Sequence, residues 1–276
     1  MSFSGTEMGR VSLCGARPDN QDRCAIFEAS DTCLLVLGDG LGGHPGGEVA
    51  AQTLIDVCAQ LYKEASKPLK NPNFFLHQCA SHAHRAIVEY GLAQTPPISP
   101  RTTLVMALLQ EGQCYWSHAG DSRFYLLRDE AILIQSVDHV AIHDPQGAGS
   151  EFDGASPTAI TRCLGGDASS AMPDAGTPTH LEEGDLILLC SDGFWNQLDE
   201  KRIVSTLRRD APLNKSLQTL AEHAAANLPH QSDNVSAVGV RVGEHGYGIS
   251  KNYADEEIDE LLSAINHLNK LINKNL

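Results

Sequence analysis

The chain has 276 residues, 42% hydrophobic and 20% charged, the balance of a globular protein long enough for one large core or two small ones. Its formal net charge of −15 argues against non-specific binding to nucleic acid or anionic lipid. The opening MSFSGTEMGR lacks the apolar centre of a secretory signal, and no stretch approaches the ~20 apolar residues of a membrane span. The sequence therefore predicts a soluble, cytoplasmic protein with neither a membrane nor a nucleic-acid partner.

In chain order, strand-like segments fall at 11–14, 24–28 and 32–37, followed by amphipathic helix patterns at 47–65 and 73–93. A Pro-rich break covers 95–101. Closely spaced strands at 103–109, 114–118, 124–127 and 131–134 then suggest an antiparallel meander. Residues 140–166 turn to Gly, Pro, Asp and Ser with little periodicity, which predicts a long loop. A strand at 186–190, helices at 199–209 and 215–227 and a strand at 235–242 complete a layered α+β domain over residues 1–243. Residues 244–276 differ. They read as a linker and one helix whose Ile258, Leu261, Ile265, Leu268 and Ile272 form an apolar seam. That C-terminal helix could dock in cis, dimerise or bind a partner.

Eight cysteines are scattered without a CxxC pair, which predicts reduced, buried thiols. Cys79 and Arg85 have the C-x5-R spacing of cysteine phosphatases, but they lie inside a helix pattern that offers no free N–H groups. His77, His82 and His84 share that helix, where residues two apart point to different faces, so a zinc site fails and a solvated face is expected. The Gly-rich GDGLGGHPGGE lacks the Lys and Ser/Thr of a phosphate-binding P-loop.

The informative pattern is the placement of aspartates. Asp39 and Asp192 close apolar strands, Asp233 precedes a third strand, Asp121 occupies a turn between two, and Asp22 lies just before another. Each carboxylate is held where a rigid strand meets a loop, often beside Gly. Any one Asp-Gly is ordinary turn chemistry. Five such carboxylates form an all-oxygen set suited to hard cations such as Mg²⁺ or Mn²⁺.

The segments GARPDNQD (15–22), LGDGLGGHPGGEVAA (38–51), TTLVMALL (102–109), HAGDSR (118–123), VDH (137–139), ITRCLGG (160–166), LLCSDGFWNQL (188–198) and SDNVSAVGV (232–240) occur in an order that resembles the type 2C metal-dependent protein serine/threonine phosphatases in their prokaryotic form. The resemblance implies a four-layer α-β-β-α sandwich of two antiparallel sheets flanked by helices. It also implies hydrolysis of phosphoserine and phosphothreonine by metal-activated water. By position, Asp39 and the Gly40 carbonyl would hold two ions, Asp192 and Asp233 would complete the pair, and Asp22 would hold metal-bound water. Asp121 would serve a third ion, shared with Asp192. Arg17 would grip the phosphate and His44 would protonate the leaving oxygen. The partners implied are a phosphoprotein substrate, a serine/threonine kinase or its target. Gln21 stands where the family usually has Glu, Arg101 replaces a common Gly, and the 140–166 loop does not match the usual flap sequence closely. A catalytically silent phosphoprotein-binding module is the alternative; it is expected to have lost metal aspartates, and all five are present.

Overall fold

The computed structural model describes residues 6–29, 31–42, 44–142, 158–166, 173–208, 211–228 and 230–243. The C-terminal helix expected in 244–276, and with it the domain boundary at 243, lies outside these residues. The chain runs β1 (Glu7–Leu13), β2 (Asp22–Ala29), β3 (Thr32–Asp39), α1 (Gly47–Glu64), α2 (Pro72–Leu92), β4 (Arg101–Thr102), β5 (Leu104–Gln110), β6 (Gln113–Ala119), β7 (Arg123–Arg128) and β8 (Ala131–Gln135). It continues with β9 (Leu164–Gly165), β10 (Asp174–Ala175), β11 (Thr179–His180), β12 (Leu186–Cys190), α3 (Asp192–Trp195), α4 (Glu200–Thr206), α5 (Leu213–Asn227) and β13 (Val235–Arg241).

Two antiparallel sheets form, in the orders β1-β13-β12-β7-β8 and β10-β6-β5-β3-β2, with β11 also on β6. Successive side chains of a strand point to opposite faces. In β3, Leu34 and Val36 pack under α1 and α2, whereas Cys33, Leu35 and Leu37 fill the space between the sheets. In β12, Leu186, Leu188 and Cys190 meet the layer of α3, α4 and α5, while Ile187 and Leu189 face the other sheet. Burial on both faces explains why these strands are unbroken apolar runs instead of alternating ones. Each fully buried Leu, Ile or Phe contributes about 1.5–3 kcal/mol, enough in sum to fix strand ends that carry like charges. The four-layer α-β-β-α architecture expected from the sequence is the one observed.

The helices start where their capping chemistry allows. The Asn71 side chain accepts from the Phe74 amide (3.1 Å) with Pro72 in the first helical position. Asp199 caps α4 through the Arg202 amide (2.7 Å). The main corrections concern short elements. Residues 160–166 are not all loop: Leu164 and Gly165 pair with Thr102 and Arg101, and Ile160 bridges to Val140. A two-residue ribbon has no period to detect. The solvated His face also needs amending, because half-buried His84 accepts the Gly165 amide at Nδ1 (3.1 Å) and so ties α2 to that ribbon. Cys79 is buried in α2 and Arg85 pairs with Glu89 on the exposed face, so the two never share a loop. None of the eight cysteines, all among the described residues, is in a disulfide. Among the described residues, no helix is long and apolar enough to cross a membrane.

Candidate metal centre and active site

Antiparallel pairing brings the chosen aspartates to one end of the sandwich. Asp39 ends β3 and lies directly opposite Asp22, which opens β2 instead of preceding it. Cys190 ends β12 opposite Ala237 and Arg123, so Asp192, the turn holding Asp121 and the Asp233 segment share that same edge. A cleft of about 300 Å³ there is lined by Arg17, Gln21, Asp39, Gly40, Asp121, Asp192, Asp233 and Asn234 among others. Of the eight residues assigned a metal or catalytic role from the sequence, six line this wall directly. Asp22 and His44 do not.

Backbone contacts hold the edge tightly. A Cβ on Gly40 would come within 2.5 Å of the Gly47 backbone at the start of α1, and one on Gly193 within 2.1 Å of the Asn234 carbonyl. Glycine at each place lets two chain segments touch and keeps the neighbouring aspartate at the cleft. Gly40 also donates its amide to the Gln21 carbonyl (3.2 Å).

Asp22 is almost fully buried behind the wall. Its Oδ2 accepts from the Ser191 hydroxyl (2.8 Å), while its Oδ1 is buried with no hydrogen-bond partner. Arg17 forks onto Asp233, with Nε 2.9 Å from Oδ1 and Nη2 2.6 Å from Oδ2. Asn234 anchors the loop that carries Arg17: its Nδ2 donates to the Cys14 and Asp19 carbonyls (2.8 and 3.0 Å), and its Oδ1 accepts the Gln21 amide (2.8 Å). Sequence reasoning gave no role to Asn234 or Ser191. The only signal was their position beside aspartates at strand ends.

The carboxylates are electrostatically strained. Burial, then Asp22, Asp192, Asp121 and Asp233, push Asp39 well above the usual carboxylate range. Burial raises Asp22 to about 6, and burial with Asp192 raises Asp121 to about 7. Asp192 moves upward through burial and Asp233. Such a set suits a hard divalent cation, which would relieve the repulsion and offer the orphaned Asp22 oxygen a positive neighbour. Among the described residues, no three His, Cys, Asp or Glu side chains are already drawn into a metal cage. The mutually repelling carboxylates border one cleft without closing into a cage.

His44 sits just beyond Leu41 and Gly42, which do line the cleft. Its amide donates to the Leu41 carbonyl (3.1 Å), and its Nδ1 is buried without a partner. Burial and the Arg101 guanidinium hold its pKa below the ordinary histidine value, favouring the neutral ring.

A family model for protein phosphatase 2C matches residues 17–231. The chain is 27% identical over 246 residues to a Listeria monocytogenes protein named serine/threonine phosphatase stp, covering 84% of this chain and 92% of that one. Among solved structures, the S. agalactiae serine/threonine phosphatase aligns with a TM-score of 0.74 at 26% identity, covering 86% of this chain and 99% of the other. The catalytic domain of the phosphatase PstP, solved in complex with two manganese ions, aligns with a TM-score of 0.70 at 27% identity over 87% of this chain and 99% of its own. The fold, the carboxylate-lined cleft and a family match across most of its length agree: this chain belongs to the protein phosphatase 2C family of serine/threonine phosphatases.

Proposed function

We propose that the cleft hydrolyses phosphoserine and phosphothreonine in proteins using two Mg²⁺ or Mn²⁺ ions, and that Asp121 and Asp192 would hold a third. The observation that carries this reading is the convergence of Asp39, Asp121, Asp192 and Asp233, with Arg17, on one cleft from separate strand ends. Asp39, the Gly40 carbonyl, Asp192 and Asp233 would hold the pair, with Asp22 behind them. Bound divalent cations supply Lewis-acid activation of water and of the phosphoryl group.

The remaining work falls to the chain's own groups. The Arg17 guanidinium presents a planar fork that matches two phosphate oxygens as well as it matches the Asp233 carboxylate, and it orients the ester for attack. His44 would hold a proton for the departing serine or threonine oxygen. Its lowered pKa makes the protonated form scarcer at a given pH, and it lies outside the cleft wall that Arg17 lines, so the site supports Arg17 better than His44. The substrate on this reading is a cytoplasmic signalling phosphoprotein, a serine/threonine kinase or its target. The silent-module alternative gains no support from the cleft.

A phosphothreonine peptide and the full chain test the proposal. Exhaustive chelation is expected to abolish phosphate release, and Mn²⁺ or Mg²⁺ to restore it. Undiminished release after chelation would sink the metal mechanism.

A further inference from the structure

Three residues from the matched segments have no part in the chemistry above: Arg123, Asp138 and Trp195. They nevertheless form one connected unit beside the cleft. Arg123 opens β7 and forks onto Asp138, with Nε and Nη2 each 2.8 Å from a carboxylate oxygen. Its guanidinium carbon lies 3.3 Å from the centre of the Trp195 ring. The Trp195 Nε1–H in turn donates to the backbone carbonyl of Asp121 (2.9 Å).

We propose that Arg123, Asp138 and Trp195 are positioning residues that set where Asp121 stands relative to Asp192, and so tune the divalent cation those two carboxylates share. This rests on the reading of Asp121 and Asp192 as ligands. The geometry suits the task. Trp195 lies three residues after Asp192 on the single turn of α3, so one short element carries one carboxylate and the post for the other. The indole N–H is a donor only, and its bond to the Asp121 carbonyl fixes the peptide plane of the turn. The indole is held in its turn by the stacked guanidinium, which the two-point Asp138 contact keeps from rotating. The same contact occupies Asp138, a nearly buried carboxylate close enough to Asp121 to repel it, and prevents it from competing as a ligand. A lysine at 123 would keep the charge but lose both the fork and the flat stacking surface.

The test is a calorimetric Mn²⁺ titration of the full, metal-stripped chain as wild type, D121N, W195F and R123K. D121N is expected to lose the weakest binding step. W195F and R123K are expected to weaken that step about tenfold, the usual scale for a lost partner behind a ligand, while sparing the tighter steps and the thermal midpoint of the stripped protein. R123K retains Trp195, so Mn²⁺ quenching of tryptophan emission gives a second reading of the same step, with Trp116 the other contributor. It decides the matter if W195F does not fold. D121N losing a step while the folded variants match wild type would overturn the proposal and leave the ligand reading standing. Uniform weakening of every step together with a lowered midpoint would also overturn it, because that is general loosening. If D121N itself matches wild type, Asp121 is no ligand and the proposal falls with that reading.

Discussion

Strand β12 has an aspartate just beyond each end, and the two are treated in opposite ways. Asp185, one residue before Leu186, is fully buried and fully answered: Arg128 forks onto it at 2.8 and 2.7 Å, and the Glu182 amide adds a bond of 2.8 Å. Asp192, two residues past Cys190, lies instead among Asp39, Asp121 and Asp233, with burial and Asp233 driving its pKa up. One sandwich thus has a self-satisfied end and an end that stores like charge. Proteins tolerate the second arrangement where a cation or substrate is to be met, and the packed layer between the sheets supplies the stability it draws on.

The largest effect should come from neutralising each end in turn. Asp39→Asn is expected to cut phosphopeptide hydrolysis by about a thousandfold or more, since charge stabilisation by bound cations is worth several kcal/mol. It should leave the metal-free protein as stable as wild type or more so, because one of several repelling charges is gone. Asp185→Asn should do the reverse. Removing one partner of a buried hydrogen-bonded group costs about 1–3 kcal/mol, and Arg128 would keep Glu182, so the thermal midpoint should drop while turnover per folded molecule persists. Equal loss of stability in both variants would erase the contrast.

Next comes pH. The folded-state pKa values of Asp22 and Asp121 are raised to about 6 and about 7, against an unfolded value near 3.9. Groups raised in this way hold protons more tightly when folded. Their contribution is complete below the unfolded value and is lost as pH climbs through the folded one. The chelated protein should therefore lose stability from about pH 4 to pH 7. Mn²⁺ at a hundred times its dissociation constant should return about 2.7 kcal/mol. A chelated midpoint that rises across this window would contradict the assigned strain. Asp185→Asn should keep the wild-type slope, and Asp39→Asn should flatten it.

Much of this was legible from sequence for a definite reason. Asp39 and Asp192 each end a run of residues buried on both faces, so a lone carboxylate there marks the point where the chain leaves the core. Asp121 and Asp233 stand beside strands as expected. Pairing then converts positions along the chain into one edge in space, as Asp22 opposite Asp39 shows. What was not legible depends on three segments meeting. Arg123, Asp138 and Trp195 sit in separate motifs, and no periodicity foretells a guanidinium stacked on an indole. His84 carried no signal of its tie to Gly165, because that bond forms across a ribbon two residues long. Asp22 was placed at the right edge, yet its burial behind Ser191 could not be read from a single Asp before a strand.

A smaller effect separates the two groups assigned to substrate handling. Arg17→Ala should act chiefly on KM, by about tenfold, as expected for a contact made equally with substrate and transition state. His44→Ala should lower kcat more for an alkyl phosphate than for p-nitrophenyl phosphate, whose leaving group needs little protonation. An equal kcat loss on both would remove His44 from the proton-donor role.

On this reading, the like charge at one end of the sandwich is there to hold divalent cations. Titrating Mn²⁺ into the stripped full chain, with Asp192→Asn in parallel, tests it most directly. Wild type is expected to show at least two saturable binding events, with the Asp192→Asn chain losing affinity in step with its activity. Full phosphopeptide hydrolysis by a wild-type chain that binds no Mn²⁺ or Mg²⁺ would contradict it.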